Sequence, residues 1–343
     1  MKVAVVILNY NGLKFLQQFL KRIADNCPSY GEVVIADNAS SDGSVEWLKN
    51  NFPSLRLIQH SFNKGFAGGY NDTLKQIQAE YFVILNSDIE VTDGWLAPLI
   101  DFMESNKDAA ACQPKILSYK NKNYFEYAGA AGGFIDMFGF PFCRGRLFTT
   151  LEKDDRQYDD VKNVFWVTGA CMIIRSEIFF KAGGFDDFFF AHMEEIDLCW
   201  RMQRMKYRIV SLPYSCVYHI GGGTLSKNSP KKTFLNYRNN LSMLAKNLPV
   251  HLLFPVFLFR IFTDAAAAIV FLFYSGPSHF FAVPKAYFSF LFNLSALAVK
   301  RKAFSKNISS SLPETIYRKS VLLAYFIMRK RKYSALNFRN NMD

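Results

Sequence analysis

The chain has 343 residues, enough for one large α/β domain and an appended region. Its net charge of +12 is unevenly placed, because residues 1–230 carry 24 Lys and Arg against 26 Asp and Glu, whereas residues 231–343 carry 17 against 3. The near-neutral first part argues against an enzyme with a basic nucleic-acid cleft, so we expect no nucleic-acid partner. The basic second part is rich in Phe, Leu and Tyr and predicts contact with a membrane surface.

The six cysteines are widely scattered and form no C-x-x-C pair. This pattern is typical of reduced thiols in a cytosolic protein rather than of a disulfide framework or a zinc site. The opening apolar run, VAVVIL, is too short for the core of a secretory signal. We therefore expect the first domain to face the cytoplasm.

The first part of the chain alternates predicted strands and helices. Val3–Leu8 is an apolar run rich in β-branched residues, which is typical of a strand buried on both faces. Helical spacing of apolar residues follows at 13–24, and we expect Ser44 to cap the first turn of another helix. The remaining elements predicted in this part are strands at 32–36, 55–59 and 81–85, and helices at 44–51 and 69–77. The alternation predicts an α/β fold with a mostly parallel sheet covered by helices.

The next part of the chain is less regular. Residues 111–118 predict a strand, but residues 119–160 mix glycine, aromatic and charged residues, and we expect a long loop region over the sheet. Asp197 and Arg201 lie four residues apart in a predicted helix, which indicates a structural ion pair. The other elements expected here are an apolar run at 164–174, helices at 176–182 and 194–206, and a strand within 208–219.

Two apolar stretches, 252–274 and 280–299, dominate the C-terminal part. Their lengths suit a bilayer span, but both contain prolines and charged residues, which disfavours simple spanning. Within the first stretch, Arg260 and Asp264 are four residues apart and predict an ion pair on one helix face. The alternatives are a spanning pair, a helical hairpin lying in the membrane plane, or a helical cap packed on the domain. We favour membrane association.

The segment Phe82–Val91, FVILNSDIEV, predicts a buried strand that ends in Asn86, Ser87 and Asp88. In open α/β sheets, ligands bind at the carboxyl ends of the strands. Oxygen ligands at this position suit a hard divalent cation, Mg²⁺ or Mn²⁺, that shares its coordination with substrate phosphates. The alternative is a strand followed by an Asx-rich turn.

Polar or glycine-rich segments follow the other predicted strands too. Asn9, Tyr10 and Asn11 end the first strand and Asp37 ends the second, where its carboxylate can accept a hydrogen bond from a pyrimidine imide. The third strand is followed by residues 63–71, NKGFAGGYN, in which three glycines allow close approach to a ligand. This segment is not G-x-G-x-x-G and does not follow the first strand, so a dinucleotide-binding site is disfavoured.

Five ordered motifs, ILNYNG, ADNASSDGS, NKGFAGGYN, LNSD and HMEEIDLCWR, make residues 1–225 resemble the family-2 glycosyltransferases. The rhamnosyltransferase-like branch, which builds bacterial surface polysaccharides, is the most similar. The resemblance implies a GT-A nucleotide-diphospho-sugar transferase fold, a nucleotide-diphosphate sugar donor of the dTDP-rhamnose or UDP-hexose type, a divalent cation and inversion at the anomeric carbon. It also implies a hydroxyl acceptor on a lipid-linked or polysaccharide glycan of the cell envelope.

The resemblance assigns roles to individual residues. Asp37 matches the base-binding aspartate, Asp88 the metal ligand, and His219 the late histidine that completes the metal shell or touches the diphosphate. Glu195 occupies the position of the general base, with Glu194 as the alternative because the usual pair is Glu-Asp. The other residues expected at the nucleotide are Asn9, Tyr10, Asn11, Asn63, Lys64, Gly65, Asn71, Asn86 and Ser87. Those expected at the sugar are Trp166, Thr168 and Gly169, although Trp166 suits the core equally well.

We therefore predict a catalytic domain at residues 1–230 and a basic, hydrophobic, helical, membrane-associated region at 231–343. The enzyme is expected at the cytoplasmic face of the bacterial inner membrane, with a homodimer as a candidate assembly. The Q-x-x-R-W motif of processive synthases is absent, which favours one sugar addition per encounter. Two rivals remain: a sugar nucleotidyltransferase, which should carry a glycine-rich basic signature after the first strand, and a catalytically weak membrane adaptor.

Overall fold

The computed structural model describes residues 1–221, 229–305 and 311–338. Its strands are β1 (Val3–Asn9), β2 (Gly31–Asp37), β3 (Arg56–Gln59), β4 (Tyr81–Asn86), β5 (Ile89–Val91), β6 (Ala109–Ser118), β7 (Gly133–Ile135), β8 (Pro141–Cys143), β9 (Arg146–Leu147), β10 (Thr150–Leu151), β11 (Lys162–Asn163), β12 (Cys171–Arg175) and β13 (Arg208–His219). Its α-helices are α1 (Leu13–Asp25), α2 (Ser44–Asn51), α3 (Gly65–Leu74), α4 (Ala97–Ser105), α5 (Ser176–Lys181), α6 (Glu194–Arg204), α7 (Pro230–Asn247), α8 (Val250–Tyr274), α9 (Pro277–Phe292), α10 (Leu294–Ser305) and α11 (Val321–Phe326). Two 3₁₀ turns complete the described elements, at Asp187–Phe189 and Tyr333–Leu336.

The central sheet has the strand order β11-β13-β6-β12-β4-β1-β2-β3, and β5 pairs with β13. Strands β1 to β4 are parallel neighbours, as are β6 and β13, whereas β12 runs antiparallel to β4 and β6. The predicted α/β fold with a mostly parallel sheet and a helical C-terminal region is confirmed. In this register Asn9 lies beside Asp37, and Leu8 lies beside Asn86, so the polar strand ends share one edge of the sheet.

The apolar residues of β1 explain why this strand lies at the centre of the sheet. Val3, Val5 and Ile7 pack into the hydrophobic core on one face, and Ala4 and Val6 pack into the core on the other. All five are at most 1% exposed. A strand buried on both faces must be apolar throughout, which is the pattern that predicted it.

Three local predictions are wrong. Helix α3 begins at Gly65 rather than Gly69, so the glycine-rich segment forms its first turns. Ser44 does not cap α2, since it is the first helical residue and its backbone N–H donates to Asp42 Oδ1 at 3.1 Å, while Gly43 precedes it with φ 85°. Residues 119–160 are not only loop, because β7 to β10 form a four-stranded antiparallel sheet there.

The C-terminal helices pack on the first part of the chain and on one another. Helix α8 buries one stripe of residues at helical spacing, namely Val256, Arg260, Asp264 and Ala268. The predicted Arg260–Asp264 ion pair is present within that stripe, at 3.0 Å, and both side chains are at most 3% exposed. A buried polar pair on an otherwise apolar helix marks the face that packs against protein.

Residues 311–338 return to the small sheet rather than extending the helical region. The backbone N–H of Tyr317 donates to Ile135 O at 2.9 Å, and the ring of Phe134 contacts those of Tyr333 and Phe338. One hydrophobic core therefore contains residues from both sides of the predicted boundary at residue 230.

Candidate active site

A cavity of about 360 Å³ opens at the carboxyl edge of the central sheet. It brings together ten residues that the sequence indicated at widely separated positions: Tyr10, Asn63, Gly65, Asn86, Asp88, Thr168, Gly169, Glu194, Glu195 and His219. The cavity forms here because β1 and β4 end side by side and the start of α6 lies across from them. Parallel strands place the residues that follow them at one edge, which is why the chain concentrates polar groups there.

Asn9, Asn11 and Asp37 do not line this cavity. Asn9 is fully buried and donates through Nδ2 to Asp37 Oδ1 and to Ser40 Oγ, both at 3.0 Å. Asp37 Oδ2 accepts from the backbone N–H of Ser40 at 2.9 Å. Asn11, with φ 52°, accepts from the N–H of Ser41 at 2.8 Å. These residues join the ends of β1 and β2 beside the cavity wall.

Four other predicted residues also lie outside the cavity lining. Lys64 pairs with Asp72 on the surface of α3, and Ser87 lies in the turn after β4. Asn71 borders a different cavity, of about 350 Å³, and its amide donates to Phe185 O at 2.8 Å. Trp166 belongs to the core, because it is 4% exposed and its Nε1 donates to Phe134 O at 3.0 Å. Residues 222–224, two glycines and a threonine that follow His219 closely in the sequence, lie outside the described residues.

His219 lies between two carboxylates at the end of β13. Its Nε2 is 3.2 Å from Asp88 Oδ1, and its Nδ1 is 3.2 Å from Glu126 Oε2. Strand β5 pairs with β13 and aligns Ile89 with His219, which brings the neighbouring Asp88 to the imidazole. All three side chains are at most 8% exposed. Glu126 was not indicated by the sequence, because it comes from the segment interpreted as loop.

The three groups perturb one another. Burial alone would raise the pKa of Asp88 and of Glu126, but hydrogen bonding to His219 and its charge hold both below their ordinary values. Burial alone would lower the pKa of His219, and the two carboxylates raise it to about 10. A metal ion binds neutral imidazole, so ion binding and protonation compete for this side chain.

The donor atoms of Asp88 and His219 fit a divalent cation. Neighbouring ligands around an octahedral ion with bonds of about 2.1 Å lie about 3.0 Å apart, close to the observed 3.2 Å. A histidine that binds metal usually donates its other N–H to a carboxylate, which is the place of Glu126. In the described ranges no group of three or more His, Cys, Asp or Glu side chains forms a complete metal site. Phosphate and water oxygens would have to supply the remaining ligands.

Glu194 and Glu195 begin α6 on the opposite wall of the cavity. Burial raises the pKa of Glu195 to about 7 and, together with the charge of Glu195, raises that of Glu194 well above its ordinary value. Among the residues that the structure describes, the Oε2 atom of each has no hydrogen-bond partner, although both atoms are buried. Both residues line the cavity, and a carboxyl group there with a pKa near 7 is suited to accept a proton.

The predicted ion pair between Asp197 and Arg201 is present and anchors α6. Arg201 Nε donates to Asp197 Oδ2 at 2.8 Å, and both side chains are at most 2% exposed. Lys246 of α7 contacts the same carboxylate oxygen at 3.0 Å. Contacts with α7 therefore hold α6 in place, and Glu195 lies in the first turn of α6.

The cavity also contains lining residues that sequence reasoning missed. These are Leu8, Asn38, Phe66, Ala128, Ala170, Phe190, Ala191, His192, Lys231 and Lys232. Burial, with the charge of Lys232, lowers the pKa of His192 to about 4, so this imidazole is neutral. The two lysines lie in the first turn of α7, just after Pro230, and a proline is a sequence signal for a helix start. They are far along the chain from the other motifs, so the sequence did not indicate that they line the cavity.

Comparison with known proteins finds a matching family model. The family model described as glycosyl transferase family 2 matches residues 4–181, just over half of the chain. The chain is also 26% identical over 233 residues to an N-acetylglucosaminyl-diphospho-decaprenol L-rhamnosyltransferase of Mycobacterium tuberculosis, a match that covers 63% of this chain and 75% of the relative.

Two solved structures share the fold. One is GalNAc-T7 with UDP, GalNAc and Mn²⁺, with a TM-score of 0.58 and 16% identity over 74% of this chain and 49% of the other. The second is the mannosyltransferase PcManGT of Pyrobaculum calidifontis with GDP-Man and Mn²⁺, with a TM-score of 0.51 and 15% identity over 89% and 80% of the two chains. The expected GT-A fold is confirmed.

Proposed function

From the premise that the chain belongs to glycosyl transferase family 2, we propose that it is an inverting, metal-dependent enzyme that transfers one sugar. The donor is a nucleotide-diphosphate sugar of the dTDP-rhamnose or UDP-hexose type, and the acceptor is a hydroxyl group of a lipid-linked or polysaccharide glycan of the cell envelope. The observation that carries the proposal is one cavity with a metal-compatible Asp88–His219 pair on one wall and Glu194 and Glu195 on another. The rhamnosyltransferase name of the mycobacterial relative supports the substrate classes.

Asp88 and His219 would hold Mg²⁺ or Mn²⁺ together with the donor diphosphate. The bound ion would supply positive charge that stabilises the departing nucleotide diphosphate. Glu126 Oε2 lies 3.2 Å from the other imidazole nitrogen and would orient the ring, so the chain would contribute two donor groups and one supporting carboxylate. Lys231 lines the same cavity and adds positive charge for the phosphates. The Mn²⁺ in both fold neighbours supports this assignment.

Glu195 is the proposed general base. Its carboxylate accepts the proton of the acceptor hydroxyl as that oxygen attacks the anomeric carbon from the face opposite the leaving diphosphate. One carboxylate suffices for a single displacement, whereas a glycosidase requires two flanking the bond. Glu195 is favoured over Glu194 because it occupies the position of the family's general base, and because burial and the charge of Glu195 raise the pKa of Glu194 well above its ordinary value.

The nucleotide would lie along the ends of β1 and β4 and the start of α3. Tyr10, Asn63 and Asn86 present a ring and two amides to the cavity there. Asn38 supports this wall, since its amide donates to Asn63 Oδ1 and to Gly65 O, both at 3.0 Å. Asp37 is buried and accepts a hydrogen bond from Asn9. It would therefore affect base binding only indirectly, by fixing the conformation of the ends of β1 and β2.

The C-terminal helices would contact the cytoplasmic face of the bacterial inner membrane. In the described ranges, α8 is long and apolar enough to cross a membrane, and α9 and α10 meet the same criterion only as a pair bent by 61°. Four aromatic side chains are each 78–87% exposed, namely Phe254, Phe273, Tyr274 and Phe292. Exposing such large apolar side chains to water is unfavourable, and contact with lipid would bury them. The exposed basic residues Lys302, Arg329 and Lys332 suit anionic lipid headgroups.

The catalytic proposal is tested by offering the purified chain a panel of nucleotide sugars with MnCl₂ and a polyprenyl-diphosphate-linked glycan. We expect a product heavier by one sugar residue in mass spectrometry, with release of the nucleotide diphosphate, and loss of both in Asp88→Ala. Pyrophosphate release from a nucleoside triphosphate and a sugar phosphate would instead identify a nucleotidyltransferase. Unchanged turnover in Asp88→Ala without metal would contradict the site.

Membrane contact is tested by flotation of the full chain with lipid vesicles. We expect flotation with vesicles containing phosphatidylglycerol and weaker flotation with phosphatidylcholine alone, with the difference decreasing as salt screens the basic residues. Absence of flotation with either composition would contradict a lipid-facing surface.

A further inference from the structure

The residues immediately before the proposed base adopt an unusual backbone conformation. Phe190, His192 and Met193 have φ angles of 62°, 71° and 74°. Residues other than glycine rarely occupy this left-handed region, because their Cβ atom approaches the backbone too closely there. Such a segment keeps its shape only where its surroundings hold it.

Asn239 of α7 holds this segment from one side. Its Nδ2 group lies 2.9 Å from Phe189 O, 2.9 Å from Ala191 O and 2.8 Å from His192 O. Arg238 adds a bond from Nη2 to Phe188 O at 2.8 Å. Asn239 is fully buried, and its Oδ1 accepts from Arg238 Nε at 2.9 Å and from Arg238 Nη2 at 2.7 Å, so both ends of its amide are engaged.

The same segment meets α3 on its other side. Phe190 O accepts from the backbone N–H of Phe66 at 2.6 Å and of Ala67 at 3.3 Å, so it caps the first turn of that helix. Gly65 starts α3 with φ 70°, and any Cβ at this position would overlap Phe190 O. Phe66 and Gly65 line the cavity on the proposed nucleotide side.

We propose that Asn239 is a positioning residue that locks residues 189–193 between α7 and α3 and thereby places Glu195 opposite the nucleotide wall. The assignment of Glu195 and of that wall rests on the proposed function, but the lock itself does not. Because α7 also packs against α9, the lock links the proposed base to the helices that would contact lipid. The amide of Asn239 acts by donation, since three carbonyl oxygens face it and none can donate in return.

Hydrogen–deuterium exchange of the unliganded full chain tests the lock directly. In Asn239→Ala we expect about tenfold faster exchange at residues 189–196 and also at residues 66–67, because net loss of one or two hydrogen bonds changes a local opening equilibrium by about that factor. Asn247→Ala is the matched control, since this buried asparagine of α7 donates to Asp197 Oδ1 at 2.8 Å. The control should leave exchange at residues 66–67 unchanged. Unchanged exchange there in Asn239→Ala would overturn the proposal.

Kinetics with a donor identified from the panel supply the second readout. We expect about a hundredfold lower kcat in Asn239→Ala, since small misplacement of a catalytic group costs that much. Asn239→Asp should be as impaired as Asn239→Ala, because it keeps the size but replaces the donor by a carboxylate facing carbonyls. Normal kcat in Asn239→Asp would overturn a role in donation.

Arg238→Ala provides a variant whose fold is less at risk, because this side chain is only partly buried. It should show the same exchange pattern with a smaller increase. If the wild-type chain turns over no nucleotide sugar, the proposed function fails, while exchange at residues 66–67 still decides whether Asn239 holds the segment. Faster exchange at those residues with an unchanged kcat would show that the segment can loosen without affecting catalysis. That result would overturn the positioning role.

Discussion

Replacement of Glu195 by glutamine is the most direct test of the proposed chemistry. The substitution preserves the shape of the side chain and removes its capacity to accept a proton. General-base assistance contributes about 10²–10⁴-fold to rate, so we expect kcat to fall by that factor, which corresponds to about 2.7–5.4 kcal/mol of activation free energy. Glu194→Gln is the matched control, with an expected decrease in kcat of less than about tenfold, because Glu194 is not the proposed proton acceptor, and burial and the charge of Glu195 raise its pKa well above its ordinary value.

The environment of Glu195 also predicts the pH dependence of kcat. Burial raises the pKa of Glu195 to about 7 from an ordinary value near 4.5. The base acts only as the carboxylate, so activity is lost as pH falls through 7 and is retained above it. The ionised fraction rises about tenfold between pH 6 and pH 8, and kcat should follow, whereas an unperturbed carboxyl would give a flat profile over that interval.

The assay is nucleotide-diphosphate release at saturating donor and acceptor between pH 5.5 and 8.5, with Mn²⁺ held constant. Thermal unfolding of each variant verifies that the fold is intact. A kcat for Glu195→Gln within threefold of wild type would refute the assignment of the base. A pH-independent wild-type kcat would refute the argument from burial.

Three further predictions follow from single contacts. Glu126→Gln should weaken Mn²⁺ affinity by about 10–100-fold, measured by electron paramagnetic resonance, because it removes the carboxylate that orients the proposed histidine ligand; an unchanged affinity would contradict that role. Arg260→Ala should lower the free energy of unfolding by about 3–5 kcal/mol in chemical denaturation, because it leaves the buried carboxylate of Asp264 without its ion-pair partner. As a control, Lys21→Ala breaks an exposed ion pair and should change the free energy of unfolding by less than about 1 kcal/mol. Gly65→Ala should reduce nucleotide affinity in calorimetry with UDP and Mn²⁺ and lower the melting temperature, since its Cβ would displace Phe190; wild-type affinity and stability would exclude the close approach.

Much of the fold was predictable because it depends on local periodicity. The unbroken apolar run of β1 predicted a strand buried on both faces, and the strand is central. Ion pairs four residues apart, such as Asp197–Arg201 and Arg260–Asp264, form within single helices and need only the helix to exist. The predicted start of α3 was four residues too late, because glycine is a poor helix former. Tertiary contacts stabilise the helix there, and local propensity does not report them.

Local spacing is enough to show which polar groups follow the parallel strands, and the carboxyl ends of such strands meet at one edge whatever the loops do. Which of these groups face the cavity depends on long-range packing. The side chains of Asn71 and Trp166 donate hydrogen bonds to the carbonyl oxygens of Phe185 and Phe134. Glu126 contacts His219, although it lies 93 positions earlier in the chain. The physical reason is that a side chain's partner depends on which distant segment packs against it, and no local spacing records that contact.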